Sequence, residues 1–511
     1  MLRILAFVTL IACLPAAGRA GPLPEPDDCK PDPNDWPMLA HDALHTGCTA
    51  IGVERPYKTL WRWFDGRPWP MDQQPPARNR VVFFSNCQPV VADGLLYIGA
   101  MNGRLYALKA DSGEVAWTQQ TGRQITHTAC VYGPHVVVNC TDGKVYAFDR
   151  KTGRPGWTVA TGAPLYSAPV ARGGRIYVAG RDRRVYAIHY NTGRVLWRAK
   201  VGDQCMTSPA CDGEAVYVGT ESGVAWAFAA RDGSRLWRTA LPASSMRHVW
   251  PVVAREAGVV IYRTMPLHGS SQLFGAIEQM LRAEPDLPWR ELQKKIRRFF
   301  TDHPDHQTFF ALECRTGRQR FVAPVAAIMR HQDTPTPPVI GPGGVCYVNY
   351  RTNRSGSFKG MSFGTSFSLD IGILDLKTGD VRTFAPKGTF STFSIESGLD
   401  DSSAYALAGN WLVGSHTCHP GGRIGQINVK DHRQFGGVSD RWNYDRRPFP
   451  GGWGGHDRIY RKNQRVPLTD RGWNANIGMG YSSPVVVRGV VYSTHVSGSA
   501  LVAIEGKAVR K

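Results

Sequence analysis

Acidic side chains are the scarcer charge in this 511-residue chain: 41 Asp+Glu stand against 61 Lys+Arg, a formal net charge of +20. That balance favours anionic partners and speeds encounter with them. Long apolar runs are scarcer still. After the nine residues from Ile4 to Ala12 there is no stretch of eighteen apolar residues, so no membrane-spanning helix is expected. The chain has no Gly-x-Ser-x-Gly, no phosphate-binding glycine loop and no other nucleophile motif that would name a reaction. Ser415-His-Thr-Cys418-His419 carries serine where the first thiol of a haem-attaching Cys-x-x-Cys-His belongs. His41 with His45, and His303, His306, His416 and His419, lack third and fourth ligands at metal-site spacing, so no metal site is expected. His41 and His45 are read as lying on one side of a helical turn. What the chain does have is 42% hydrophobic residues, enough for a large core, with 55 Gly and 35 Pro to break it into many short strands.

The first twenty residues read as an export signal. Arg3 supplies the positive start, Ile4 to Ala12 the apolar run, and Pro15 to Ala20 a small-residue end with cleavage after Ala20. Leu10-Ile-Ala-Cys13 resembles the bacterial lipobox, so the alternative is an outer-membrane lipoprotein acylated at Cys13. Removing residues 1–20 leaves ten cysteines, an even number that permits complete pairing in an oxidising compartment. Cys29 with Cys48 is the expected local bridge. Strand cysteines such as Cys140 are equally well read as small core residues.

The strongest signal is self-similarity. Trp117, Trp157, Trp197 and Trp237 recur every 40 residues, as do Gly113, Gly153, Gly193 and Gly233. Pro89, Pro169 and Pro209 keep the same step, with Ala129 in the remaining slot. Each unit reads as four short strands, A to D. In the third they are Ser167–Ala171, Arg175–Ala179, Val185–Ile188 and Arg194–Arg198, separated by glycine-bearing turns. Such units are the mark of a β-propeller, an all-β ring of radial blades. Eight are counted: about 85–122, 126–162, 166–202, 206–241, a fifth from Trp250 to beyond Gly317, a sixth from Pro338 to Phe384, a seventh over 403–438, and an eighth from Ser483. The eighth ends at Ile504 without a strand D. Thr59-Leu-Trp-Arg-Trp63 is the missing strand, so the two ends of the chain are expected to close the ring. The domain reading is a signal over 1–20, an extension over 21–58 and one eight-bladed propeller over 59–507.

The motif Ala107-x-x-x-Asp111-Ser-Gly113-x-x-x-Trp117, repeated around Ala147 to Trp157 and Ala187 to Trp197, resembles the repeat of the pyrroloquinoline-quinone (PQQ) propeller family. Asp35-Trp-Pro37 and His45-Thr-Gly47 are similar to the opening of bacterial members. The resemblance covers roughly residues 35–506 and implies one of two activities. Quinoprotein alcohol dehydrogenases hold PQQ and calcium, with two adjacent cysteines forming a ring disulfide. Cofactor-free members, such as the propeller lipoprotein of the outer-membrane β-barrel assembly complex, are scaffolds. No two cysteines here are adjacent, and no Glu, Asn and Asp trio for calcium falls on a matching motif. The resemblance is therefore closer to the scaffolds. No cofactor is predicted, with PQQ and calcium as the alternative.

Five segments lengthen the regular pattern: 64–84, 266–308, 351–366, 387–402 and 439–480. Strand connectivity places all five on the face that carries the B–C turns and D–A crossovers, so one elaborated face is expected, weighted towards blades five to eight. Residues 266–308 read as two helices lying across the propeller. The first has Leu273, Phe274, Ile277, Met280 and Leu281 on one face. The second, starting at Asp286 and Pro288, has Trp289, Leu292, Ile296, Phe299 and Phe300 on one face and Arg290, Lys294, Lys295, Arg297 and Arg298 outward. Residues 439–480 gather aromatic and basic side chains: Trp442, Tyr444, Arg446, Arg447, Trp453, His456 and Trp473 form the candidate ligand or partner face. The same composition suits a loop pinned by its aromatics over the channel mouth. The functional expectation is an exported or periplasmic, non-catalytic, monomeric scaffold for a protein or an anionic envelope polymer, with no nucleic-acid partner. The alternative is a divergent PQQ-dependent oxidoreductase acting on alcohols or sugars.

Overall fold

The computed structural model describes residues 21–30, 32–69, 81–84, 87–246, 249–267, 287–325, 336–358, 361–383, 405–416, 423–431, 434–435, 484–494 and 500–510, with isolated residues between 276 and 284. Within them the chain forms eight antiparallel blades in a closed ring. Blade three shows how the sequence builds each one. Its strands are Val170–Arg172, Arg175–Ala179, Arg184–His189 and Val195–Lys200, within three residues of the boundaries read from alternation and turns. Gly173, Gly174 and Gly193 take positive φ at its turns, a conformation that costs glycine nothing. The A strands are the innermost.

The 40-residue step of tryptophan and glycine has a single cause. Each strand-D tryptophan docks on the C–D turn of the following blade. The indole Nε1 of Trp117 donates to Arg150 O at 3.2 Å, Trp157 to Tyr190 O at 2.9 Å, Trp197 to Ala230 O at 3.1 Å and Trp237 to Cys314 O at 2.9 Å. The ring lies flat on the turn glycine: a Cβ at Gly153, Gly193 or Gly233 would come 2.6–2.8 Å from indole carbons. One hydrogen bond of this kind contributes about 0.5–1.5 kcal/mol net, besides the aromatic burial. Blade five carries Phe321 in place of tryptophan, and it covers Gly379 without donating a bond.

Strand Ile51–Phe64 pairs with strand Ala500–Arg510, in a register that sets Thr59 against Ile504 and Trp63 against Leu501. The expected closure by the two ends of the chain is therefore formed. Trp61 completes it by donating to Ala110 O of blade one at 3.0 Å and lying on Gly113. The strand begins at Ile51, eight residues before the expected Thr59, because residues 51–54 continue the ladder against residues 507–510.

Two lengthened segments prove to be ordered backbone. In blade six, strands Cys346–Phe358 and Met361–Leu374 stay paired out to Phe358 against Met361, so 351–366 is a two-stranded arm and not a loop. The second helix of the 266–308 insertion spans Trp289–Asp302 and buries Leu292, Ile296 and Phe300, as its spacing predicts. It also buries Gln293, for a specific reason. The Gln293 Oε1 accepts Val381 N at 3.0 Å while Trp289 Nε1 donates to Val381 O at 2.6 Å. The helix thereby caps the outer strand of blade six, and it lies at the rim instead of across the ring. Arg290, Lys294, Lys295 and Arg298 face solvent, whereas Arg297 pairs with Asp380 at 2.7 Å. Of the first helix's apolar face, Leu273, Phe274, Ile277 and Leu281 lie outside the described residues.

Gly94 and Gly153 separate two costs of losing a turn glycine. Both take positive φ, but a Cβ at Gly94 meets nothing within 4 Å, whereas at Gly153 it meets Trp117 at 2.7 Å. Gly153→Ala should destabilise by about 1–3 kcal/mol more than Gly94→Ala, measured by urea unfolding.

Candidate functional site

The inner edges of the A strands carry backbone groups that must find partners. Residues 35–49 supply many of them by making one circuit of the ring axis. Trp36 exchanges two backbone hydrogen bonds with Val91 of blade one, at 2.8 and 2.9 Å. Val131 N of blade two then donates to Pro37 O, Cys211 N of blade four to Ala43 O and Val253 N of blade five to Leu44 O. Ile340 N of blade six follows with Thr46 O, and Leu407 N of blade seven with Gly47 O. Short strand Cys48–Thr49 runs parallel to Ala406–Ala408 before the chain enters the closing strand. Blades three and eight are tied by side chains: Gly173 N donates to Glu25 Oε1 at 3.0 Å, and Arg488 pairs with Asp32 at 2.6 Å.

This strap seals the face of the A–B turns. Trp36, Leu39, Ala40 and Ala43 are buried at the centre of the ring. Residues 21–49 hold six carboxylates against one lysine on an otherwise basic chain, so the strap and the ring attract one another. The B–C turns and D–A crossovers lie on the opposite face, where the two-stranded arm of blade six also projects.

The strap corrects two expectations. His41 and His45 are not on a helical turn: Ala40, His41 and His45 all have positive φ, at 49°, 79° and 58°. That backbone is held by Gln88 Oε1, which accepts Ala40 N at 2.9 Å, and by Asp42, which accepts Leu44 N and Thr46 N. Cys29 and Cys48 do not pair. Cys29 sits in the core cluster that contains Cys130 and Tyr132, while Cys48 pairs with Leu407 on blade seven. The circuit of the strap carries the two to different blades. None of the nine described cysteines is in a disulfide with another of them, and burial pushes the thiol of Cys87 up to about 12.

The candidate partner residues Trp442, Tyr444, Arg446, Arg447, Trp453, His456 and Trp473 lie outside the described residues, as do Cys418 and His419. His303 and His306 pack edge to face at 5.8 Å beside Phe299. Among the described residues no three His, Cys, Asp or Glu side chains converge as a cation site. The face of the B–C turns and D–A crossovers does present a shallow cavity of about 240 Å³ on blades one and two, lined by Met101, Asn102, Gln120, Gly122, Arg123 and Gln124. Its amides are already engaged, Gln120 with Arg104 and Asn102 with Tyr106. The sequence reading missed it because those residues occupy ordinary turn positions of the repeat.

Residues 58–169 and 141–269 match the family model described as outer membrane protein assembly factor BamB. No curated protein matches the chain. Among solved structures, a europium-containing methanol dehydrogenase is 11% identical with a TM-score of 0.56, covering 93% of this chain and 98% of its own. The quinohemoprotein alcohol dehydrogenase of Comamonas testosteroni is 13% identical with a TM-score of 0.53, covering 94% and 82%. That of Pseudomonas putida HK5 is 12% identical with a TM-score of 0.52, covering 94% and 81%. At these identities the likeness is one of fold. In its repeat, its eight-bladed ring and the model match over residues 58–269, the chain is similar to the PQQ-repeat β-propellers. No helix among the described residues is long and apolar enough to cross a membrane.

The strap should be acid-sensitive through His45. Its imidazole is 1% exposed, Nδ1 donates to Pro251 O at 2.9 Å, and burial pushes its pKa from 6.5 down to about 4. The folded state holds it neutral. Its contribution is complete above pH 6.5 and declines as the unfolded chain takes up the proton, down to about pH 4. The loss should be on the order of 3 kcal/mol. Urea midpoints followed across that range should fall more steeply for the wild type than for His45→Gln.

Proposed function

We propose that this chain is an exported, periplasmic or outer-membrane-associated scaffold that binds without chemistry of its own. Its open face holds a polypeptide or an anionic envelope polymer. The observation that carries the reading is the strap. By closing the A–B side through hydrogen bonds to strands of six blades, it leaves the loop-bearing side as the mouth of the ring. The match to a model described as an outer membrane protein assembly factor supports an assembly role over a metabolic one. The aromatic and basic residues of 439–480, Trp442, Arg446, Arg447 and Trp453 among them, are assigned the contact. The net charge of +20 draws anionic partners to it.

A competing reading is a divergent PQQ-dependent oxidoreductase. The two part on a pair of measurements. Replacing residues 439–480 by a short turn should leave the melting temperature of the ring within a few degrees. The same change should reduce partner recovery from an envelope extract at least tenfold. Unchanged recovery by the folded variant refutes the loop-face assignment. Titration of the purified protein with PQQ and Ca²⁺, followed by dye reduction with alcohols or sugars, should give neither saturable quinone binding nor turnover. Tight binding with turnover would establish the oxidoreductase instead.

A further inference from the structure

The end of strand B is a small-residue position in the regular blades. Gly99, Asn139, Ala179 and Gly219 occupy it in blades one to four. A Cβ at Gly99 would meet Ile125 at 2.2 Å, and one at Gly219 would meet Met246 Sδ at 2.2 Å. Side chains from the D–A crossover already fill that space. Blade five breaks the rule with Arg263, the last residue of strand Val259–Arg263.

Arg263 faces the cleft between blades five and six. Along its strand Val259 and Ile261 pack with Ile340, Cys346, Val348 and Tyr350 of blade six, while Val260 and Tyr262 turn to blade four. Alternation puts Arg263 with the first set. Its ladder partner Phe309 belongs to the same cluster, and the guanidinium carbon lies 5.2 Å from the Phe309 ring centre. The residue is 2% exposed. Nε and Nη2 are buried with no hydrogen-bond acceptor among the described residues. Desolvation pushes the guanidinium down to about 9, which leaves it cationic at neutral pH.

A buried cation without a partner is costly, and natural cores avoid it. The identity of the two free donors narrows what would relieve it. Nε–H and Nη2–H are parallel and form one edge of the guanidinium, the fork that takes both oxygens of a carboxylate. The Phe309 ring covers the guanidinium, and that edge is enclosed without an acceptor among the described residues. Strand B ends here on the face of the B–C turns, away from the strap.

We propose that the blade five–six cleft is a carboxylate-binding site in which Arg263 receives the ligand's carboxylate side-on. The site is separate from the contact assigned to residues 439–480, and it stands or fails independently of the scaffold reading. Its ligand is either a free small carboxylate or an acidic side chain of a bound polypeptide, and the two sources are separable by experiment.

The test is thermal unfolding of the full chain at fixed ionic strength, with sodium chloride, sodium succinate, sodium phosphate or a soluble poly-glutamate peptide as the varied component. Succinate or the peptide should raise the wild-type melting temperature by several degrees over chloride. Succinate acting alone identifies the small-molecule source, and the peptide acting alone identifies the polypeptide source. Arg263→Met keeps the length of the side chain and removes the cation. It should melt no lower than wild type in chloride and lose the carboxylate-dependent rise, and Arg263→Lys should retain only part of that rise. Equal melting of the wild type in chloride, succinate and peptide would overturn the proposal. So would a larger rise in phosphate than in succinate, or an Arg263→Met variant that keeps the full response.

Discussion

A propeller has no stable existence as an open fan, because a terminal blade exposes a whole sheet face. Here closure depends on one junction between chain ends: strand 51–64 laid against strand 500–510, with Trp61 docked on the C–D turn of blade one. Trp61 reaches Ala110, 49 positions on, by the same contact that Trp117, Trp157 and Trp197 make 33 positions on, while its strand is held by residues 500–510. Ala110 O shows the economy of the device, since it accepts both Trp61 Nε1 and Tyr492 OH, the second at 3.1 Å. Arg150 O accepts Trp117 and Tyr97 in the same way. A single turn carbonyl therefore fixes two side chains of the preceding blade, and the glycine three residues on leaves room for the indole. Ring closure and blade stacking are the same interaction applied at different sequence separations.

Closing a ring leaves its inner edges open, and the strap answers that second constraint. Because residues 35–49 advance around the axis in blade order, each backbone group they offer meets a new A strand. The cost is a backbone with three non-glycine residues at positive φ, tolerated because Gln88, Asp42 and Pro251 hold it from all sides. The benefit is a ring with two unlike faces.

The ring was legible in the sequence because its contacts are side-chain contacts at a fixed step. Trp117, Trp157, Trp197 and Trp237 each need a glycine one blade on, so both classes repeat together. Even the closure could be read, from a blade lacking strand D and a Thr59–Trp63 segment lacking neighbours. The strap was not legible, since most of its bonds to the ring run from backbone to backbone and impose no residue type. Its histidines were assigned a helix that their positive φ forbids. Cys29 and Cys48 looked local because only 19 residues separate them, a spacing that says nothing once the chain travels around an axis. The helix Trp289–Asp302 was readable as amphipathic, but its place was not. Gln293 is the residue that decides it, and a glutamine on an apolar face carries no directional signal.

Regularity itself sorts the blades into two groups. In blade two the end of strand B holds Asn139, whose Nδ2 donates to Ser167 O at 2.7 Å, so the polar exception is used to join neighbours. The less regular blades also bury polar side chains. Arg263 in blade five and Gln426 in blade seven are each 2% exposed, and two nitrogens of the first and both amide atoms of the second lack hydrogen-bond partners among the described residues. Apolar groups of similar volume would avoid the cost of burying them. Arg263 and Gln426 both lie in the half of the ring that also carries the two-stranded arm and the rim helix.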